Sequence, residues 1–396
     1  LVPDLFAPAD LGPIRLRNRV IKAATFEGMT PRGEVTDRLI EYHRRPAAGG
    51  VGMTTLAYCS VAPDGRTYRD QIVVGAAAAA GLRRFTDAIH AEGAAAAIQL
   101  GHAGYFADPR AIGQRSLGPS RRFNPYGLAY CRELTDADLG RLLGDYANAT
   151  RLAIDAGFDG IEVHVGHGYL LSQFLSPWTN RRRDRWGGDI QGRARFPRAV
   201  LQAVRDAAGG RAAVWAKLNM VDGFRGGLTI EEGVEVARML DSDGSVDALE
   251  LTAGFTSRTP MFLLRGDVPL REMIDAEPDR FRRVGLRLVS RRLLREYPFE
   301  DAFLRPYARQ VRDAVAVPII LLGGLTRLDT LQSAMDEGFG FVAMARALLR
   351  DPDLVLRFAG GIADRSRCVP CNKCIAEMDR GGTRCVFVPD ELVEVP

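Results

Sequence analysis

The chain has 396 residues, 46% hydrophobic and 26% charged, a globular composition with room for one large α/β barrel or two smaller domains. A net charge of +4, from 53 basic and 49 acidic side chains spread along the chain, is too small an excess to imply nucleic acid as a partner. No run of about 18 apolar residues is present, and the opening LVPDLFAPADLG lacks the basic lead and apolar core of a secretion signal, so no membrane partner and a cytoplasmic location are expected.

In chain order, short apolar runs alternate with segments of helical periodicity. A strand is predicted at 19–24, then a polar Gly/Pro loop, a helix over 37–48, a strand at 51–57, an Ala-rich helix around 82–90 and a strand at 94–100. Further strands are predicted at 160–164, 212–218, 247–252, 318–322 and 340–344, separated by helices over 136–156, 196–208, 230–240, 303–315 and 326–337. Eight strands, each followed by a helix, predict an α/β fold of the (β/α)8 TIM-barrel type, residues 1–360, with a Cys-rich extension over 361–396. A doubly wound sheet is the alternative; it loses because no GxGxxG opens a helix after the first strand. The loops at 101–131, 166–193 and 253–298 are long and rich in Gly, Pro and aromatics, which places function at the C-terminal ends of the strands.

The stretch FDGIEVHVGHGYLLSQFLSPWTNRRRDRWGGD, residues 158–189, runs from a buried strand into Gly166-His-Gly-Tyr169. His164, His167 and Tyr169 thus gather at a strand end, and two of the five histidines are among them. With a bent strand end between them, both imidazoles can donate to one oxygen; a metal site is the alternative, with Glu162 the nearby carboxylate on matching strand parity. Lys occurs only as Lys22, Lys217 and Lys373. Lys217 stands in a strand, where an isolated buried ammonium costs several kcal/mol, so it needs a partner or must point outward. Gly323-Gly324 and Arg346 follow the seventh and eighth strands, where barrels hold phosphate; a tight turn and a surface ion pair are the alternative. Cys368, Cys371, Cys374 and Cys385 form a C-x2-C-x2-C-x10-C run, with Gly381-Gly382 allowing the chain to turn back, a donor set for a four-iron cluster or one zinc.

These motifs, with RVIKAATFEGM (19–29), AIQLGHAG (97–104), VPIILLGGLT (317–326) and FVAMARALLRDPDL (341–354), resemble the flavin-dependent Old Yellow Enzyme group of ene-reductases over residues 3–360. The Cys run resembles the subgroup that includes 2,4-dienoyl-CoA reductase and trimethylamine dehydrogenase. The resemblance implies FMN with its phosphate at Gly323, Gly324 and Arg346, Gln99 on its pyrimidine edge, Lys217 on its N1/O2 edge, and Ala24, Thr25 and Ala57 against its ring. It implies NAD(P)H as reductant, His164 and His167 on the carbonyl of an α,β-unsaturated substrate, and Tyr169 as proton donor to its C=C bond. It also implies a [4Fe–4S] cluster on the four cysteines, with zinc as the alternative. Departures are Ala24-Thr25-Phe26, where many relatives read Pro-Met-Thr or Pro-Met-Cys, a Tyr58-Cys59-Ser60 in the style of the amine dehydrogenases, and the second, nucleotide-binding half of that subgroup, which these 396 residues do not include. Two other readings stand beside ene-reduction: dehydrogenation or amine oxidation with electrons leaving through the cluster to a separate electron-transfer protein, and a flavin-free barrel with a zinc-held tail. A homo-oligomer is left open.

Overall fold

Each predicted strand alternates between two buried environments, and this alternation closes the sheet. The computed structural model describes residues 4–124, 127–277 and 279–389, in which eight parallel strands form a closed barrel. They are β1 (Val20–Lys22), β2 (Met53–Ser60), β3 (Ala95–Gly101), β4 (Gly160–Val165), β5 (Ala213–Asn219), β6 (Ala248–Thr252), β7 (Ile319–Leu322) and β8 (Phe341–Met344), with β8 pairing back onto β1. Around them lie α1 (Asp37–Ala48), α2 (Ala79–Ala91), α3 (Asp136–Asp155), α4 (Ile190–Ala208), α5 (Ile230–Asp243), α6 (Arg305–Arg312), α7 (Leu328–Asp336), α8 (Arg346–Arg350) and α9 (Leu354–Ala359). Local sequence fixes the helix starts: Thr36 caps α1, Asp189 caps α4, and Thr135/Asp138 and Thr229/Glu232 form capping boxes on α3 and α5.

Side chains of one parity, among them Ile21, Met53, Ala97, Trp215, Ile320 and Phe341, fill the barrel interior, while those of the other parity pack under the helices. Trp215 fits inside because its neighbour is Gly160, where a Cβ would lie 2.6 Å from the indole. The opening residues add what periodicity did not predict. A hairpin of Ala9–Leu11 and Ile14–Leu16 packs Leu11 and Leu16 into this interior cluster. The loop after β6, read as irregular, holds helices at Pro260–Leu264, Leu270–Ala276 and Arg280–Leu293.

The Cys-rich segment is laced to the barrel rim. Thr383 N–H and Oγ1 donate to Glu27 O and Phe26 O at 2.7 and 2.9 Å, and Asp267 N–H donates to Pro370 O at 3.0 Å. Among the described residues no helix is long and apolar enough to cross a membrane.

Candidate active site

At the C-terminal rim two cavities share a wall. One, of about 130 Å³, is bordered by Gly323, Gly324, Arg346 and Cys368; the other, of about 260 Å³, by Gln99, Tyr58, His164 and Tyr169. Ala24, Thr25, His167 and Lys217 line both. The sequence-predicted residues of the barrel therefore converge on one elongated site, with a single exception. Ala57 lies outside the lining. The predicted strand end at 57 is in fact mid-strand: β2 runs on to Ser60 with a register shift between Leu56 and Cys59, so Tyr58 reaches the cavity and Ala57 N–H points at Glu27 Oε1, 3.3 Å away.

The chain turns sharply out of β4. His167 has a φ of 59° and Gly168 one of 77°, where a Cβ would meet the Phe255 ring at 2.5 Å. This turn brings the His164 and His167 rings to 5.0 Å and the His164 and Tyr169 rings to 4.9 Å between centroids. His167 Nε2 is 2.7 Å from Thr252 Oγ1, which leaves Nδ1 as its free nitrogen, and His164 Nδ1 is buried with no partner. Burial, reinforced by the neighbouring imidazole and by Lys217, holds His164 well below its ordinary pKa, and burial with Lys217 brings His167 down to about 3. Both rings are neutral at pH 7. Burial pushes the Tyr169 phenol up to about 12, with Thr67 and Thr256 opposing, so it keeps its proton.

Lys217 points into the barrel. Its Nζ is 3.0 Å from Glu162 Oε1 and 2.9 Å from Glu250 Oε1. Glu162 also accepts from Gln99 Nε2 at 2.5 Å and Trp215 Nε1 at 3.1 Å. That full set of donors removes Glu162 from any metal reading of the histidines. At the other end Arg346 Nη1 donates to Arg265 O at 3.2 Å and to Asn372 Oδ1, and faces thiols rather than a carboxylate, so the surface ion pair is not formed. Gly323 and Gly324 have φ of 108° and 76°, and a Cβ on either would strike Leu304 or Phe303. Their need for glycine thus comes from packing as well as from any approach to a ligand.

Cys368, Cys371, Cys374 and Cys385 all border one small cavity with Arg346, and Gly381 and Gly382 make the predicted turn at φ of 104° and 136°. All four are free, and among the described residues no three His, Cys, Asp or Glu side chains close to metal-holding geometry. Burial pushes Cys368 up to about 11 and Cys374 up to about 12, with Arg346 opposing.

Residues 4–252 match the NADH:flavin oxidoreductase / NADH oxidase family. The chain belongs to that family. It is 49% identical to 4,4′-dithiodibutanoate disulfide reductase of Rhodococcus erythropolis, covering 99% of this chain and 96% of that one. It is 33% identical to the metal reductase of Desulforamulus reducens over 93% of its length, but spans only 51% of that protein. In three dimensions it resembles morphinone reductase with a TM-score of 0.71 and 26% identity, covering 93% and 92% of the two chains. The Old Yellow Enzyme resemblance and the TIM barrel are thereby borne out, and membership in a flavin oxidoreductase family supports the flavin-dependent readings over the flavin-free one. Sequence reading missed Thr252, Glu250 and Thr67 as supports of the site. Thr252 and Glu250 stand on the predicted sixth strand, where facing parity with Lys217 was the available signal.

Proposed function

We propose that this flavin oxidoreductase uses FMN and NAD(P)H to reduce the C=C bond of an α,β-unsaturated carbonyl compound. The observation that supports this most is the convergence of two neutral imidazoles and a protonated phenol on a cavity that continues to Lys217, Gln99 and Arg346. The residues fit the cofactor: a guanidinium without a carboxylate at one end, an ammonium and an amide in the middle, and a buried orphan nitrogen on His164 beyond them. Arg346, Gly323 and Gly324 would hold the phosphate, Gln99 and Lys217 the ring edge, with Ala24 and Thr25 beside it. FMN, when bound, supplies the carrier that takes hydride from NAD(P)H and passes it to substrate. His164 and His167 hold the substrate oxygen, and Thr252 fixes which His167 nitrogen is presented. Neutral rings donate without bringing a second charge next to Lys217. Tyr169 gives its proton to the α-carbon, and its high pKa keeps that proton in place until it is needed.

The full-length similarity to a disulfide reductase favours a second reading, in which an S–S bond takes the place of C=C. Hydride and one proton then convert the disulfide to two thiols, with Tyr169 protonating the departing sulfur. Four thiols on one cavity beside Arg346 support a [4Fe–4S] cluster on Cys368, Cys371, Cys374 and Cys385, which would supply a one-electron relay; iron and sulfide analysis after anaerobic purification tests it against zinc.

Anaerobic NADH and NADPH oxidation with 2-cyclohexenone and with 4,4′-dithiodibutanoate, with products identified, separates the two readings. We expect cyclohexanone, and about a 10²-fold lower turnover in Tyr169→Phe with flavin reduction by NAD(P)H unchanged. Thiol release without ketone would replace the first reading by the second. If His164→Ala and His167→Ala both left a phenol titration of the flavin spectrum unaltered, the oxygen clamp would be wrong.

A further inference from the structure

A third cavity, of about 510 Å³, lies outside the barrel wall between α1, the end of α8 and the Cys-rich segment. It is larger than either compartment of the active site and falls in the range of small-molecule sites. Its lining is cationic. Lys22, Arg38, Arg45, Arg350, Arg367 and Arg384 face it, against a single carboxylate, Glu41. Four of these cations are already compensated: Arg45 by Glu41 at 3.1 Å, Arg367 by Asp351 at 2.5 Å, Arg384 by Glu377 at 2.6 Å and Lys22 by Glu27 at 3.6 Å.

Arg38 and Arg350 are different. Among the described residues neither meets a carboxylate. Each donates one N–H to a carbonyl of the Cys-rich segment, Arg38 to Gly381 O at 2.7 Å and Arg350 to Phe387 O. Each also leaves its Nε buried with no acceptor. Each guanidinium thus keeps donor capacity that the protein leaves unused, and an anion at the cavity wall is the ligand that uses it. The rest of the wall is apolar, from Met29, Tyr42, Leu348, Leu349, Phe387 and Val388.

We infer that this cavity is a binding site for an amphipathic organic anion, its carboxylate or phosphate head held by Arg38 and Arg350 and its short chain laid against Met29, Leu349 and Phe387. The site is distinct from the active site but adjoins it: Tyr42, Leu349 and Thr383 line both, and Lys22 on its floor donates to Thr25 Oγ1 of the active-site lining at 3.3 Å.

Isothermal titration of the flavin-loaded protein tests this, with hexanoate, hexyl phosphate, inorganic phosphate and uncharged hexanol as probes. Hexanoate or hexyl phosphate binds at one site, and whichever is tighter identifies the head group; hexanol gives no heat. Arg38→Met and Arg350→Met each weaken that binding at least about tenfold, the scale of one charge-assisted hydrogen bond, while His167→Ala leaves it intact. If a Met variant fails to retain flavin, Arg38→Lys and Arg350→Lys are read instead; they keep the charge but lose the fork and weaken binding to a smaller degree. No heat from any anion, binding unmoved by all the arginine variants, or binding lost in His167→Ala would each overturn the assignment, the last by placing the anion in the active site. Inorganic phosphate binding as tightly as the chain-bearing probes would overturn the apolar half.

Discussion

Lys217 and Lys22 are both buried and both stand on strands of one barrel, yet they lie on opposite sides of its wall and are held differently. Lys217 faces the interior between Glu162 and Glu250. Burial pulls its pKa down, but the two carboxylates more than reverse this and hold it above the ordinary lysine value. Glu250 is pushed up to about 8 by burial and by the charge of Glu162, with Lys217 opposing. Lys22 faces α1, with Glu27 at 3.6 Å and the Tyr42 ring at 4.8 Å. Here burial wins over Glu27 and brings Lys22 down to about 8, while burial raises Glu27 to about 8. Two carboxylates make Lys217 a fixed charge next to the active-site cavity; with one, Lys22 and Glu27 both titrate near pH 8.

The largest expected effect breaks the better-compensated side. Lys217→Met leaves Glu162 charged and buried without its cation and should lower unfolding free energy by about 3–5 kcal/mol, read from urea melts. Adding Glu162→Gln to that variant should recover a good part of the loss, since it removes the stranded charge. Lys22→Met should cost only about 1–2 kcal/mol, because Glu27, raised to about 8, is already protonated at neutral pH, strands no charge, and keeps its bond with His43 Nε2 at 3.1 Å. Equal losses at the two sites would show that compensation by two carboxylates does not distinguish them.

A pH series sharpens the same contrast. The folded pKa of Lys22 is depressed below its unfolded value of 10.5, so between about 8 and 10.5 the unfolded chain binds more protons and stability rises with pH from this group. Glu27 has the opposite sign: raised from 4.5 to about 8, it contributes stability at acid pH that is lost as pH rises through that interval. Lys217, raised, contributes stability below 10.5 and no slope between pH 8 and 10. The difference in unfolding free energy between wild type and Lys22→Met should therefore widen from pH 8 to pH 10. A constant difference would mean that Lys22 titrates normally.

The sequence made the barrel legible because each strand carried a strong apolar signal and four of the helices, α1, α3, α4 and α5, a side-chain cap. It also showed that Lys217 needed a partner, since a buried ammonium cannot stand alone. It did not show which carboxylates would answer, because Glu162 and Glu250 reach Lys217 across strand registers that only closure of the sheet sets. Ala57 falls outside the cavity lining for a related reason: a register shift inside β2 moves the rim by a few residues and leaves no mark on apolar periodicity. His164, His167 and Tyr169 were legible as a group because they sit within one turn of chain. Thr252, which selects the nitrogen His167 offers, lies 85 residues away and was not.

The smallest expected effect lies on the Lys22 side and tests how its single carboxylate is kept in place. His43 is held well below its ordinary pKa by burial and by Lys22, so the ring is neutral and has one N–H. Its Nε2 faces Glu27 Oε1 at 3.1 Å and its Nδ1 faces Thr54 Oγ1 at 2.7 Å. A carboxylate can only accept, so when Glu27 is ionised Nε2 carries the proton, and Nδ1 must accept from the Thr54 hydroxyl. Thr54→Val keeps the shape but removes that donor, leaving a buried acceptor empty, and should cost about 1 kcal/mol in the same urea melts. The variant should also loosen the tautomer that binds Glu27, so the widening between pH 8 and 10 should be smaller when Lys22→Met is compared in a Thr54→Val background. A cost near zero with the pH response unchanged would show that Thr54 does not set the ring, and that Glu27 is positioned instead by the Ala57 N–H.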